Sequence, residues 1–137
     1  MPKSKTPSFI HELPLKVNPI EANVLRKRLE ANRQLYNACL GEALRRLNPM
    51  RQSNIWQEAR EMSQNIKDRK GKSKPNKERA ESFKQAREEY GFSEYSLHEY
   101  AKLIRQACFI SDHIDSSTAQ KTATRAFNAV EQYAYGV

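Results

Sequence analysis

The first regular pattern in the chain is an alternation of apolar and polar side chains over residues 9–17. Four of its five alternate positions are apolar, and a period of two is typical of a β-strand. These positions are Phe9, His11, Leu13, Leu15 and Val17. Pro14 lacks a backbone N–H, so we expect an edge strand that pairs on one side only. Because a lone strand leaves its backbone groups unpaired, its partner strands are predicted to lie outside this sequence.

The apolar spacing changes after Asn18 to three, four and seven residues, which predicts an amphipathic helix. Asn18 is a favourable N-cap, Pro19 suits the first helical position, and Glu21 can complete a capping box. The pattern continues without a break to Asn48 and Pro49. The predicted apolar face contains Leu25, Leu29, Tyr36, Leu40, Ala43 and Leu47.

Four further helices are predicted from their apolar spacing and their capping residues. They cover about residues 50–67, 77–90, 97–109 and 116–135. Gly91 ends the second of these, a capping box at Ser96 begins the third, and Asp115 caps the fourth. The predicted fold class is therefore mainly α: an irregular helical bundle of four to five helices with one N-terminal edge β-strand.

Residues 69–77 combine the clearest helix breakers of the chain, Gly71 and Pro75, with five lysine or arginine side chains and no acidic residue. This composition predicts an exposed, strongly basic loop between two helices. The whole chain has 24 lysines and arginines against 16 acidic residues, a formal charge of +8. That charge favours a polyanionic partner, and a mean hydropathy of −0.88 suggests that a partner contributes to stability.

Several other classes of function are not indicated. No run of 18 apolar residues is present, so we expect no membrane span. Cys39 and Cys108 both lie in helical patterns and are predicted to be buried, reduced thiols, which favours the cytoplasm. Asp112, His113 and Asp115 form a turn with an N-cap rather than a metal site, and no catalytic constellation is recognisable. We therefore expect no catalytic residues, metal or cofactor in this chain.

Two motifs have a familiar order and spacing. The helix after Lys16-Val17-Asn18-Pro19 contains Arg33, Tyr36, Asn37 and Leu40, and the last helix contains Asp115–Gln120 followed by Arg125-Ala126-Phe127. Over residues 8–135 the chain resembles the N-terminal portion of the OrfB/TnpB transposon-associated RNA-guided nucleases and of the related miniature type V CRISPR effectors. The resemblance implies that residues 1–18 are a basic tail and the first strand of an incomplete β-barrel, the wedge domain. Residues 19–137 would be the helical recognition domain.

The resemblance also implies what this chain lacks. The family's RuvC-like nuclease and zinc ribbon cannot be placed, because the chain has only two cysteines and no Cys-x-x-Cys pair. We therefore expect a partial chain that works with the remainder of a longer protein and does not itself cleave nucleic acid. The implied partners are a guide RNA and its target DNA, held by their backbones.

The candidate nucleic-acid-binding residues are mainly cations on the predicted helices and in the basic loop. They are Arg26, Arg33, Asn37, Arg45, Arg46, Lys70, Lys72, Lys74, Lys77 and Arg125. Solvated helix faces with Glu neighbours are the alternative for any single one of them. Tyr90, Phe92 and Tyr95 are assigned to packing ahead of base contacts, and Trp56 is a predicted packing anchor. Two other functions remain open: a free-standing basic module that binds DNA or RNA without a guide, and a helical protein–protein adaptor.

Overall fold

The computed structural model describes residues 7–135, so the first six residues of the predicted basic tail and the last two residues of the chain lie outside it. The described residues form five α-helices, one short 3₁₀ helix and two short strands. The helices are α1 (Pro19–Gln52), α2 (Asn54–Glu61), α3 (Lys77–Tyr90), α4 (Glu94–Ala107) and α5 (Ser116–Tyr135). The strands are β1 (Asn65–Lys67) and β2 (Ser73–Pro75), and the 3₁₀ helix is Phe109–Asp112. The mainly helical fold class is confirmed.

The structure does not show the predicted N-terminal strand: residues 7–18 form neither strand nor helix, and the predicted partner strands lie outside this sequence. Their apolar side chains face solvent, and Phe9 is 87% exposed. A strand needs a hydrogen-bonding partner, and the only sheet among the described residues is β1 with β2. The predicted start of α1 is confirmed, since Asn18 and Glu21 form a complete capping box.

Helix α1 has 34 residues and is about 50 Å long. Its first three turns are mostly exposed, and the predicted burial of Leu29 is wrong: this side chain is 69% exposed. Burial begins at Ala31 and recurs to Met50. The helix therefore continues past Pro49, which the sequence pattern placed at its end, because the buried Leu47 and Met50 hold the last turn against the core.

The second predicted helix is much shorter than residues 50–67. Helix α2 ends at Glu61, and Ile66 lies in β1, where it pairs with Lys74. The predicted basic loop is consequently a β-hairpin. Ser63 and Asn65 are weaker helix formers than most residues of α2, and the turn at Gly71 allows the chain to pair with itself.

The last three helices were placed well. Helix α3 matches its predicted bounds and ends at Gly91, which adopts the left-handed conformation with φ 65°. Helix α4 starts three residues before its predicted start because Ser93, rather than Ser96, caps it. Asp115 caps α5 as predicted, since its carboxylate accepts the backbone N–H of Thr118 at 2.7 Å.

The core lies where α5 packs against α1 and α4. Small residues on α5, among them Ala119, Ala123 and Ala126, are buried there. A cluster of aromatic side chains also connects α2, α3 and the end of α5. Trp56 contacts Phe83 edge-on at 4.7 Å and Tyr135 at 5.4 Å between ring centroids. Trp56 is thus a packing anchor, as predicted.

The two cysteines differ. Cys39 is buried in the core as predicted, whereas Cys108 is exposed because it follows the last residue of α4, where the helix no longer covers it. Both thiols are free. Among the described residues, no helix combines the length and apolar character that crossing a bilayer requires.

Candidate nucleic-acid interface

The basic segment between α2 and α3 is a two-stranded antiparallel hairpin with an exposed surface on both strands. The register places Lys67 opposite Ser73 and Ile66 opposite Lys74. Because neighbouring side chains of a strand point to opposite faces, Lys67 and Lys74 lie on different faces of the ribbon. The five residues of the turn, Asp68 to Lys72, contribute further cations at the tip. The hairpin therefore presents positive charge on both faces and at its end.

The turn is held by the side chain of Asp68, which sequence reasoning did not single out. Its Oδ1 accepts the backbone N–H of Lys70 at 2.9 Å and that of Lys72 at 2.8 Å. Gly71 adopts φ 78°, a conformation that side chains other than glycine rarely adopt. An Asp that precedes a Gly by three residues between basic residues was the available signal, since Asp commonly bonds to the backbone two residues later.

Asn76 fixes the base of the hairpin to the helical body. Its backbone N–H donates to the carbonyl of Gln64 at 3.0 Å, and its Nδ2 donates to the carbonyl of Ser63 at 2.9 Å. The same side chain caps α3 by accepting the N–H of Arg79 at 3.4 Å. Arg79 in turn donates from Nε to the carbonyl of Ala59 at 3.2 Å, on α2. The hairpin thus projects from a defined position between two helices.

The charge of the hairpin is almost uncompensated. Residues 67–77 contain six lysine or arginine side chains and one carboxylate, that of Asp68, which is already engaged by backbone N–H groups. All four predicted lysines of this segment are exposed, and within residues 7–135 none of them takes part in an ion pair. Lys67 and Arg69 extend the predicted set. A phosphate can therefore approach these ammonium groups without displacing a protein carboxylate.

The cations predicted on α1 have three different environments. Arg33 is paired with Glu30 at 2.6 Å, and Arg45 is paired with Glu42 at 2.5 Å, although both arginines are largely exposed. Hydrogen bonds from Arg33 and then Gln34 lower the pKa of Glu30 to about 2, and Glu30 raises the pKa of Arg33. Arg26 is exposed and takes part in no ion pair among the described residues. Of the predicted cations on α1, Arg26 alone resembles the hairpin lysines in being both exposed and without an ion pair among the described residues.

Arg46 has a structural position. Its side chain is 21% exposed and lies between the carboxylate of Glu42, at 2.9 Å, and the backbone carbonyl of Gly91, at 2.9 Å. Glu42 is itself buried and receives both Arg45 and Arg46. These contacts occupy two of the five N–H donors of the guanidinium and hold the side chain against the protein.

The remaining predicted positions are exposed but distant in the chain from the hairpin. Asn37 lies on α1 and Arg125 on α5, and both side chains face solvent. Of the three aromatic residues assigned to packing, Phe92 is buried and Tyr90 packs against the core, whereas Tyr95 is 81% exposed. Lys70, Lys72 and Lys74 thus lie on the hairpin and Lys77 begins α3 next to it, while the other candidates lie on α1 and α5.

Within residues 7–135, no three His, Cys, Asp or Glu side chains lie close enough together to share a metal ion. No family model, curated protein or solved structure matches this chain. The resemblance to the TnpB-type nucleases therefore depends on the residues of this chain alone.

Proposed function

We propose that this chain binds the phosphate backbone of nucleic acid through the hairpin at residues 65–75 and the adjoining Lys77. One observation supports this proposal above the others: exposed lysines stand on a fixed two-stranded ribbon whose single carboxylate is occupied by its own turn. Neutralising phosphates releases condensed counterions, so each contact contributes to an affinity that decreases with salt. The bonds of Asp68 and Asn76 to backbone groups hold the turn and the base of the hairpin in one geometry before the ligand arrives.

The finer proposal follows from the resemblance. In a TnpB-like protein the ligand is a guide RNA and its heteroduplex with target DNA, and base pairing rather than the protein reads the sequence. A protein in that role needs distributed positive charge and little base-specific chemistry. The surface of residues 67–77 has that character. On this proposal the chain is the N-terminal lobe of a transposon-associated endonuclease. The reading frame is then expected to continue beyond the codon of Val137 and to encode a nuclease domain with catalytic acidic residues.

The quadruple variant K70A/K72A/K74A/K77A tests the hairpin. We expect it to weaken binding of a structured RNA and to reduce the slope of log K against log salt by about three, since each lost contact removes roughly 0.7–0.9. The matched control is K16A/K27A/R28A/K84A, which removes the same charge from other exposed positions. An equal loss in both variants would indicate a general charge effect, and an unchanged affinity in the hairpin variant would exclude the hairpin.

A second candidate function is a free-standing module that binds duplex DNA without a guide. The ribbon itself favours it, because the major groove of B-DNA is wide enough to admit two antiparallel strands. Comparing a structured RNA with a duplex DNA of equal length separates the two. Preference for the RNA supports the guide-binding proposal, similar affinities support the module, and salt-insensitive or absent binding to both supports the adaptor.

A further inference from the structure

Helices α4 and α5 lie side by side and run in opposite directions. At one end, Arg105 donates from Nε to the carbonyl of Ile114 at 2.6 Å, just before α5 begins. At the other end, Phe92 contacts Phe127 at 5.0 Å between ring centroids. Small side chains on α5, such as Ala119, allow the two helices to approach closely. The shallow seam between them is open to solvent and forms a groove.

Two adjoining cavities of about 330 and 360 Å³ make up this groove. They share His98 and Gln120, so they are continuous along the seam. The stretch of α5 from Ser116 to Arg125 that lines them is about 14 Å long. That length corresponds to roughly four nucleotides of a stacked strand, at a rise of about 3.4 Å each. The groove is thus long enough for a short chain of phosphates.

The cations along the groove come from both helices. Lys102 and Arg105 belong to α4, and Lys121 and Arg125 belong to α5. In the part of the chain that the structure describes, no carboxylate pairs with Lys102, Lys121 or Arg125. Glu99 lines the groove and Glu94 and Asp115 lie beside it, so four cations stand against three carboxylates. The local charge therefore attracts an anion.

A hydrogen-bonded network stabilises the middle of the groove. The hydroxyl of Thr124 donates to Glu94 Oε1 at 2.8 Å, and His98 Nε2 lies 2.7 Å from the same hydroxyl oxygen. Glu94 Oε1 is also 3.6 Å from His98 Nε2. Glu94 is therefore held in place by Thr124, but its side chain is still 46% exposed and its carboxylate belongs to the charge of this part of the groove.

An exposed aromatic ring stands next to the network. Tyr95 is 81% exposed and meets the ring of His98 edge-on, with the centroids 5.9 Å apart. Proteins that bind single-stranded nucleic acid combine a cationic groove, which follows the backbone, with aromatic rings that stack on bases. Packing within this protein does not require that ring, since so little of it is covered.

We propose that the α4–α5 groove binds a single-stranded RNA segment, with its phosphates on Lys102, Lys121 and Arg125 and one base stacked on Tyr95. This inference extends the proposed function, nucleic-acid binding, to a second surface that shares no residue with the hairpin. The two surfaces bind different parts of the ligand: the hairpin binds folded or paired nucleic acid, and the groove binds an unpaired strand.

The test measures binding of a fluorescent oligouridylate of about ten nucleotides, a length within the usual range for single-strand sites. We expect the triple variant K102A/K121A/R125A to bind at least about tenfold more weakly at low salt and with a salt slope reduced by about two. The control K16A/K27A/K84A, which loses the same charge elsewhere, should change affinity by less than about threefold. Equal losses in the two triple variants would overturn the groove.

Tyr95 provides a test that does not alter charge. Tyr95→Ala should weaken oligouridylate binding by about tenfold, and Tyr95→Phe should restore it, because stacking needs the ring and not the hydroxyl. Tyr133→Ala removes another exposed tyrosine and should have no effect. If uridine triphosphate at the same phosphate concentration displaces the oligonucleotide, the groove binds a single nucleotide and the proposal of an extended strand is wrong.

The two proposals can fail separately. If the hairpin quadruple variant no longer binds structured RNA while the groove variant still binds the oligouridylate, the groove proposal is wrong and the proposed function stands. If the groove variant alone loses binding, the hairpin is wrong and the groove stands. Thermal unfolding of each variant is compared with the parent chain, so that a loss of fold is distinguished from a loss of binding.

Discussion

Arg46 and Gly91 are 45 residues apart, yet the guanidinium Nη1 of Arg46 donates a hydrogen bond to the carbonyl oxygen of Gly91 at 2.9 Å. Gly91 is the left-handed residue that ends α3, so this bond holds the end of α3 against the C-terminal part of α1. The same guanidinium contacts the buried Glu42 on its own helix at 2.9 Å. A cation predicted to contact phosphate is therefore part of the protein's own framework.

Replacing Arg46 should destabilise the fold. Arg46→Met keeps the apolar stem but removes both hydrogen bonds, and we expect the free energy of unfolding to decrease by about 1.5–3 kcal/mol. Arg45→Met is the matched control: its side chain is 72% exposed, so the loss should be much smaller than for Arg46→Met. Urea denaturation measures both. Equal effects would show that the bond to Gly91 contributes nothing beyond the pair with Glu42.

Acid should weaken the same region. Hydrogen bonds from Arg45 and then Arg46 hold the pKa of Glu42 below its usual value of 4.5, although burial opposes the shift. A carboxylate whose pKa is lower in the folded state stabilises that state fully above its unfolded pKa, and the stabilisation is lost as pH falls through the folded value. We therefore expect stability to decline below about pH 4.5.

Glu42→Gln checks this origin of the pH dependence. The variant should be less stable than the parent chain at pH 7, and the difference should shrink as the pH falls toward 3, as measured by urea midpoints. Glu58→Gln, at an exposed position of α2, serves as the control. A difference for Glu42→Gln that stays constant with pH would contradict the assignment.

Gly71→Ala should disturb the hairpin without altering its charge. Nothing lies within 4 Å of a Cβ added at Gly71, so the cost comes from its φ of +78° and is about 1–2 kcal/mol. Since both strands are exposed, we expect faster amide exchange in the hairpin, weaker RNA binding and little change in global stability. Gly41→Ala in α1 also has free space and should stabilise the helix instead, by up to about 1 kcal/mol. Unchanged RNA affinity in Gly71→Ala would show that hairpin geometry is unimportant for binding.

The two thiols should react at very different rates. Burial raises the pKa of Cys39 to about 11, so roughly one molecule in a thousand carries the thiolate at pH 8. Cys108 is exposed. We expect iodoacetamide to modify Cys108 in the folded protein and Cys39 only after denaturation, as mass spectrometry of proteolytic peptides would show. Rapid labelling of Cys39 under native conditions would mean that α1 separates from the core.

The helix boundaries were largely predictable because their signals are local. Asn18 with Glu21, Gly91 and Asp115 each act on backbone groups within a few residues, and the structure shows all of them at the predicted sites. The main failure among caps was Ser96, where Ser93 competes for the same role three residues earlier. Both residues are serines with the same capping chemistry, so the sequence pattern alone does not rank them.

The candidate site was only partly predictable. Clustered lysines identified residues 70–77, but a loop and a hairpin have nearly the same composition, and the pairing of Ile66 with Lys74 depends on a backbone register. The groove was represented by Arg125 alone, because its other members come from two helices that only the tertiary structure places side by side.

The sequence by itself determined a basic, mainly helical chain, most of its helix ends and the position of its lysine cluster, since charge, spacing and capping act over a few residues. Only the tertiary structure decided that Leu29 is exposed, that Arg46 is an internal contact and that α4 and α5 form a groove. Burial and pairing depend on residues distant in sequence, and the pattern of one segment does not specify which distant segment will cover it.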